Sequence, residues 1–540
     1  MRLINEASEE KLRGGFYTPA PIASFILKWA FNGNKKLNIL EPSCGDGVFL
    51  EEIKKGNYEY NSVTAIEFDK IEATKSKKIN LTKSTIINTD FHKFCINTNK
   101  KFNLIIGNPP YIRYQYFDKE QQKYASSIFE KANLKYSKLT NTWVSFVVGS
   151  SLLLEEEGKI GFVLPAEILQ VSYAKPLREF LAHFYNKVNI VSFEKLIFPH
   201  IQQEVVLLLC EKNKSNTHLI EHLELKDADE LKSLDVSKLK SPKKKIDFKS
   251  NKWTFYFLEQ DEIDFLERLQ EEQIIPKLGT YAKVEVGITT GSNPFFTVPL
   301  STVQKYNLEE YAKPLVGRSV QVPSAIFTSN DWKKNKKDEA RTHLLIFPER
   351  MALNNSTKAE EYIRLGETEN IHKGYKCRIR NEWQIIPSLR ISEALFIRRN
   401  NLYPKLIIND ANAYTTDTMH RVTSKPNVDL KVLTASYYNS ISLAFSEICG
   451  RSHGGGVLEL MPSEVEDILL PYHENNIDLL PIIDKMIRDK KNITEILEIT
   501  NKRILKDNFG LSNSDIELAD RIWKKLSKRR LNRGKKHNKS

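Results

Sequence analysis

Residues 104–114 read LIIGNPPYIRY. An apolar run that suits a buried strand meets two consecutive prolines and then a tyrosine. Proline fixes φ, donates no backbone hydrogen bond and pushes the preceding residue out of the helical region, so the strand must stop at once. Two readings follow: a strand closed by a rigid turn, or a loop that presents Tyr111 at the carboxyl end of a central strand. The flanking segments bear on the choice. Short apolar runs at 37–40, 62–68, 84–90, 102–107, 158–165 and 204–211 read as strands. Helical spacing occupies 47–55, 69–78, 142–154 and 174–184. Strands alternating with helices predict an α/β domain with a mostly parallel sheet covered on both faces. The run at 204–211 follows 190–198 with no room for a crossover helix, which predicts an antiparallel member of that sheet.

At 540 residues the chain is too long for one core, and two or three domains are expected. The charged, proline-containing stretch 237–252, SKLKSPKKKIDFKSNK, marks a boundary. A first domain over 1–240 is expected, then an irregular α+β domain over 250–475, then a basic helical segment over 476–540. The net charge of +13 fits a polyanionic partner. No stretch approaches the ~18 consecutive apolar residues of a membrane helix. The N-terminal residues have no apolar signal segment, and the five cysteines form no CxxC pair. These features suit a cytoplasmic protein with neither a disulfide framework nor a metal site.

Ligands of an open parallel sheet bind beyond the carboxyl ends of its strands. After the first strand comes EPSCGDGVFL, 41–50, where Gly45 and Gly47 permit close backbone approach. The segment lacks the GK[ST] of a phosphate loop, and Glu41 at its mouth opposes phosphate. Glu67, beside Phe68, ends the second strand and suits the two hydroxyls of a ribose, whereas Asp69 suits a helix N-cap. Asp90 and Phe91 end the third, an acceptor for an exocyclic amine and a cover for a purine face. NPPY ends the fourth. Together these residues describe a nucleoside cofactor without phosphate, S-adenosylmethionine rather than NAD or ATP.

With these motifs the chain resembles the amino-methylating DNA methyltransferases, and within them the TaqI-like (gamma-class) N6-adenine group. The resemblance runs from GGFYTPAPIASFIL (14–27) through ILEPSCGDGVFL, AIEFDK, TDF and NPPY to EGKIGFVLPAEIL and LIFPHIQQEVVLLL, about the first 210 residues. It implies a class I methyltransferase fold, a seven-stranded Rossmann-like sheet with one reversed strand, followed by a target-recognition domain. It implies that Thr18, with Tyr17 nearby, closes over the methionine end. Glu41 and the Pro42–Gly47 turn, including Cys44 and Gly45, would contact the methionine portion, Glu67 the ribose and Asp90 the adenine.

Asn108 and the carbonyl of Pro109 can accept the two N–H bonds of an adenine amine, freeing its lone pair, while Pro110 holds that carbonyl in place. Tyr111 can stack on a flipped base, and the resemblance implies a second aromatic at Phe198. In the second half, VEVGITTGSNPFF (284–296), with Gly291 and Asn293, and RSHGGGVLELMPSEV (451–465), with Arg451, His453, Gly454 and Gly455, resemble DNA-approaching loops of target-recognition domains. The expectation is a monomeric, metal-free, site-specific DNA adenine-N6 methyltransferase acting on double-stranded DNA alongside a separate restriction endonuclease. The competing readings are N4-cytosine methylation, protein-glutamine methylation and a non-enzymatic DNA-binding relic.

Overall fold

The structure, a computed structural model, describes residues 17–32, 36–112, 118–135, 140–195, 197–198, 204–234, 244–245, 252–350, 357–453 and 455–534. The chain divides into two compact units, Met1–Ile263 and Asp264–Ser540.

The first unit begins with α1 (Ala20–Phe31), which starts on the fixed φ of its early prolines and buries Ile22, Phe25, Ile26 and Trp29 at helical spacing. Then follow β1 (Leu37–Glu41), α2 (Val48–Lys55), β2 (Tyr60–Glu67), α3 (Lys70–Lys78), β3 (Ser84–Asn88), α4 (Phe91–Asn97), β4 (Phe102–Gly107), α5 (Lys119–Lys131), α6 (Thr142–Leu152), β5 (Leu154–Pro165), α7 (Lys175–Phe184), β6 (Lys187–Phe193), β7 (Val205–Glu211), β8 (Leu219–Leu225) and the two-residue β9 (Lys244–Lys245). The sheet order is β3-β2-β1-β4-β5-β7-β6-β8-β9. From β3 to β5 every pair is parallel. β7 runs antiparallel to both β5 and β6, as the short connection before it requires.

The sheet is wider than the seven strands that the resemblance implied. β8 adds parallel to β6, and β9 antiparallel to β8. Residues 219–225, LIEHLEL, bury only part of their surface, so their apolar signal is weaker than that of the central strands. The central strand β4 is the opposite case. Leu104, Ile105 and Ile106 are wholly buried. Leu104 and Ile106 join the core that contains α1, and alternation turns Ile105 to the other face. Burial of each such side chain contributes about 1.5–3 kcal/mol. Register sets the strand ends level: Glu67 lies opposite Asn88, and Gly107 opposite Phe162.

The second unit is α+β. One antiparallel sheet orders Ala282–Val286, Met419–Ser424, Ala394–Ile397 and Leu406–Ile408. A second orders Thr297–Val298, His343–Leu345, Ala312–Val316 and Tyr414–Thr415, and a third Arg399–Asn400, Leu458–Glu459 and Arg451–Ser452. The helix Asn513–Gly534 packs on Ser440–Cys449 within this unit. Among the described residues, no helix is long and apolar enough to cross a membrane. Nor do His, Cys, Asp or Glu side chains there form a metal-holding group.

Candidate active site

The carboxyl ends of β1 to β4 open into a cleft of about 480 Å³ in the first unit. Tyr17, Thr18, Glu41, Pro42, Cys44, Gly45, Glu67, Phe68, Asp90, Phe91, Asn108 and Pro110 all line it. A parallel sheet delivers these residues to one edge because every strand ends on the same side.

Among these, Glu41 is 1% exposed. Its side chain is buried, and Oε2 has no hydrogen-bond partner within the protein. Burial, reinforced by Glu67 and then Asp46, pushes its carboxyl well above the usual carboxylate range. A buried acceptor in this state suits a cationic or donating ligand group. Glu67 is held by two backbone donors, Gly45 N–H to Oε2 at 2.8 Å and Asp69 N–H to Oε1 at 2.8 Å. Burial raises its pKa, and those two N–H groups oppose the rise. Asp69 caps α3, accepting from Ile71 and Glu72 N–H, which is the cap role expected of it rather than of Glu67.

Asp90 is also a cap. Oδ1 accepts the Lys93 N–H at 3.0 Å, and Oδ2 accepts from Gln121 at 3.1 Å. Burial alone would raise its pKa, but the His92 ring, with Nδ1 3.3 Å from Oδ1, and the donors around it bring it below the usual range. Phe91 lies 4.7 Å from Phe146, ring to ring. Asp46, Asp69 and Glu72 add acid to the lining, against Lys75. Tyr17 and Phe68 are half or more exposed, at 50% and 66%. The side chain of Cys44 turns away toward Ser76, 3.5 Å distant, and burial pushes its thiol up.

Gly47 does not line the cleft. It precedes α2 with φ +99°, and a Cβ there would stand 2.3 Å from Ile79 Cδ1 and 3.0 Å from Ser76 Oγ. Its glycine serves helix packing, whereas Gly45 (φ +52°) has open space where a Cβ would project. Gly47→Ala is therefore expected to lower stability by roughly 1–3 kcal/mol from backbone strain, with the clash adding to it. Thermal denaturation checks this, and an unchanged midpoint would refute it.

The Tyr111 hydroxyl donates to Asn108 Oδ1 at 2.8 Å and to the Val163 carbonyl at 3.1 Å. Its ring packs against the core cluster that also holds Phe198, which is 9% exposed. Tyr111, Phe198 and the buried Pro109 do not line the cleft. Ser43 Oγ donates to the Asn108 carbonyl at 3.2 Å. Several cleft residues escaped the sequence reading: His92, Gln121, Thr142 and Phe146. For Thr142 there was a signal, an Asn-Thr pair opening an apolar helical run.

In the second unit the two glycine loops are tightly held. Gly291 has φ +92°, and a Cβ would stand 2.6 Å from Cys377 Sγ. Asn293 donates to Asp417 at 3.0 Å and accepts from Thr290 at 2.7 Å. Arg451 donates to Glu464, and His453 pairs with Glu459, both at 3.0 Å. His453, then Arg399 and Arg398, hold Glu459 down to about 2 against the opposing effect of burial. Arg451, His453 and Asn293 are thus engaged within the unit, while Gly455 is exposed with no atom where a Cβ would sit. Gly454 lies outside the described residues, as do 14–16 of the N-terminal motif.

A model of the Eco57I restriction-modification methylase matches residues 22–198. A model of the C-terminal domain of the Type II methyltransferase M.Eco57I matches 250–505. Together they support a restriction–modification methyltransferase. The Type II methyltransferase M.AccI of Acinetobacter calcoaceticus is 26% identical over 523 residues, covering 92% of this chain and 93% of that protein. M.HincII of Haemophilus influenzae is 28% identical over 236 residues, 42% of each chain. Among solved structures, that of the DrdV–DNA complex aligns with a TM-score of 0.52 at 12% identity. It covers 88% of this chain and 57% of that one, a likeness of fold.

Proposed function

We propose that this methyltransferase is a site-specific DNA adenine-N6 enzyme. It moves a methyl group from S-adenosylmethionine to a flipped-out adenine, and its modification protects DNA from a cognate endonuclease. The observation that carries the reading is Asn108, the residue after β4, lining the same cleft as Glu41, Glu67 and Asp90.

The residues fit the cofactor. Glu41, buried and with an unsatisfied oxygen, suits its positive end, and the Glu67 carboxylate suits ribose hydroxyls. Asp90 suits the adenine amine, and Phe91 a purine face. S-adenosylmethionine supplies an already activated methyl. The chain's part is to bind, orient and accept N–H bonds. Asn108 Oδ1 and the Pro109 carbonyl draw the target amine toward tetrahedral geometry, and both are most effective as positive charge develops on it. The proline rings fix the turn, so little reorganisation remains at the moment of transfer. The Tyr111 hydroxyl donates to Asn108 Oδ1, and on release of that bond its ring can stack on an entering base. Residues 250–475 are assigned to target recognition, with Gly291, Arg451, His453 and the adjoining glycines facing DNA.

Incubation with duplex DNA and methyl-labelled cofactor, followed by nucleoside analysis, tests this. Labelled N6-methyladenine is expected. Labelled N4-methylcytosine, or label confined to protein glutamine, would overturn the assignment.

A further inference from the structure

A buried polar chain links the adenine end of the cleft to the NPPY turn. It starts at Asp90, whose Oδ1 lies 3.3 Å from His92 Nδ1. Nε2 of His92 lies 2.7 Å from Ser145 Oγ. Ser145 Oγ also lies 2.8 Å from the Thr142 carbonyl, to which it can donate. Thr142 then grips the turn on both sides of Tyr111. Its Oγ1 accepts the Ile112 N–H at 2.8 Å and donates to the Pro110 carbonyl at 2.6 Å, and its own N–H donates to the Ile112 carbonyl at 2.9 Å. His92, Ser145 and Thr142 are 1%, 2% and 3% exposed. Buried polar links of this kind are costly to break singly, and such support shells set how precisely a reacting group is held.

We propose that Thr142 is the positioning residue of the catalytic turn, and that Ser145 and His92 tie its helix to Asp90 so that an occupied cofactor cleft stiffens the turn. The inference rests on the methyltransferase reading of the cleft. No group in the chain reacts. The effect is a loss of freedom in residues 110–112, visible as slower amide exchange.

Hydrogen exchange at the Ile112 amide of the full chain, with and without saturating S-adenosylhomocysteine, tests both parts. In the wild type the ligand is expected to slow exchange several-fold. Thr142→Val is expected to speed ligand-free exchange about 10-fold and to lower kcat about 100-fold with KM for DNA little changed. Thr142→Ser, which keeps the hydroxyl, is expected to restore both. Ser145→Ala should leave ligand-free exchange at Ile112 near the wild-type rate and abolish the ligand-induced slowing, and His92→Phe should do the same. Wild-type exchange at Ile112 in Thr142→Val would overturn the clamp, and undiminished slowing in Ser145→Ala would overturn the tie. Should Thr142→Val not fold, Thr142→Ala supplies the same reading. Failure of the ligand to bind would refute the function assigned to the cleft, and the clamp would still be read in the ligand-free pair.

Discussion

Asn108→Ala is expected to lower kcat by about 10²–10³-fold while cofactor affinity stays within a few-fold of wild type. The substitution removes the side-chain oxygen that is to accept an N–H of the target amine. It leaves Glu41, Glu67 and Asp90 in place. The Tyr111 hydroxyl loses one acceptor but keeps the Val163 carbonyl at 3.1 Å, so the turn retains an anchor. Single-turnover rates with duplex DNA and isothermal titration with S-adenosylhomocysteine separate the two effects. Wild-type turnover in Asn108→Ala would remove Asn108 from the chemistry.

The largest stability effect is expected at Arg530, on the helix Asn513–Gly534. Its guanidinium donates to both oxygens of Glu447, at 2.7 Å from Nη2 to Oε1 and 2.9 Å from Nε to Oε2. It also donates to the carbonyls of Gly456 and Asn401. Both side chains are almost wholly buried. Arg530→Met strands a carboxylate in the interior and is expected to cost about 3–5 kcal/mol, whereas Arg530→Met with Glu447→Leu recovers most of the loss.

The pH dependence has a definite sign. Burial raises the Glu447 pKa in the folded protein, and Arg530 opposes the rise. Without Arg530 the folded pKa climbs further, so the protonated form is favoured on folding and stability falls as pH rises through that value. The deficit of Arg530→Met should shrink on acidification from neutral pH. Denaturation of the full chain at two pH values measures this, and a deficit that grows in acid would refute the argument.

Much of the first unit was legible. The wholly buried runs around Leu104–Ile106 and at 205–211 announce strands without tertiary information, and acids placed after successive parallel strands converge because topology sends them to one edge. What escaped depends on contacts distant in sequence. The Thr142 clamp reaches back 32 residues to Pro110, and Ser145 reaches 53 to His92. Gly47 looks like a ligand-loop glycine until Ile79 is seen against it. Arg451 and His453 read as residues of a glycine loop able to approach DNA, yet in the fold Arg451 donates to Glu464 and His453 pairs with Glu459. Arg530 sits in the segment that reads as basic and helical, and only the fold shows Glu447 waiting 83 residues away.

The acids around the cleft give this basic chain an electrostatic filter. A net charge of +13 favours the approach of a polyanion. Asp46, Glu67, Asp69, Glu72 and Asp90, opposed in the lining by Lys75, make the cleft a local exception, while burial holds the Glu41 carboxyl well above the usual carboxylate range. In the proposed function such a lining disfavours phosphate in the pocket and leaves a sugar–phosphate strand at its rim. On the proposed base-flipping reading, an uncharged base is the part of a nucleic acid that such a field admits.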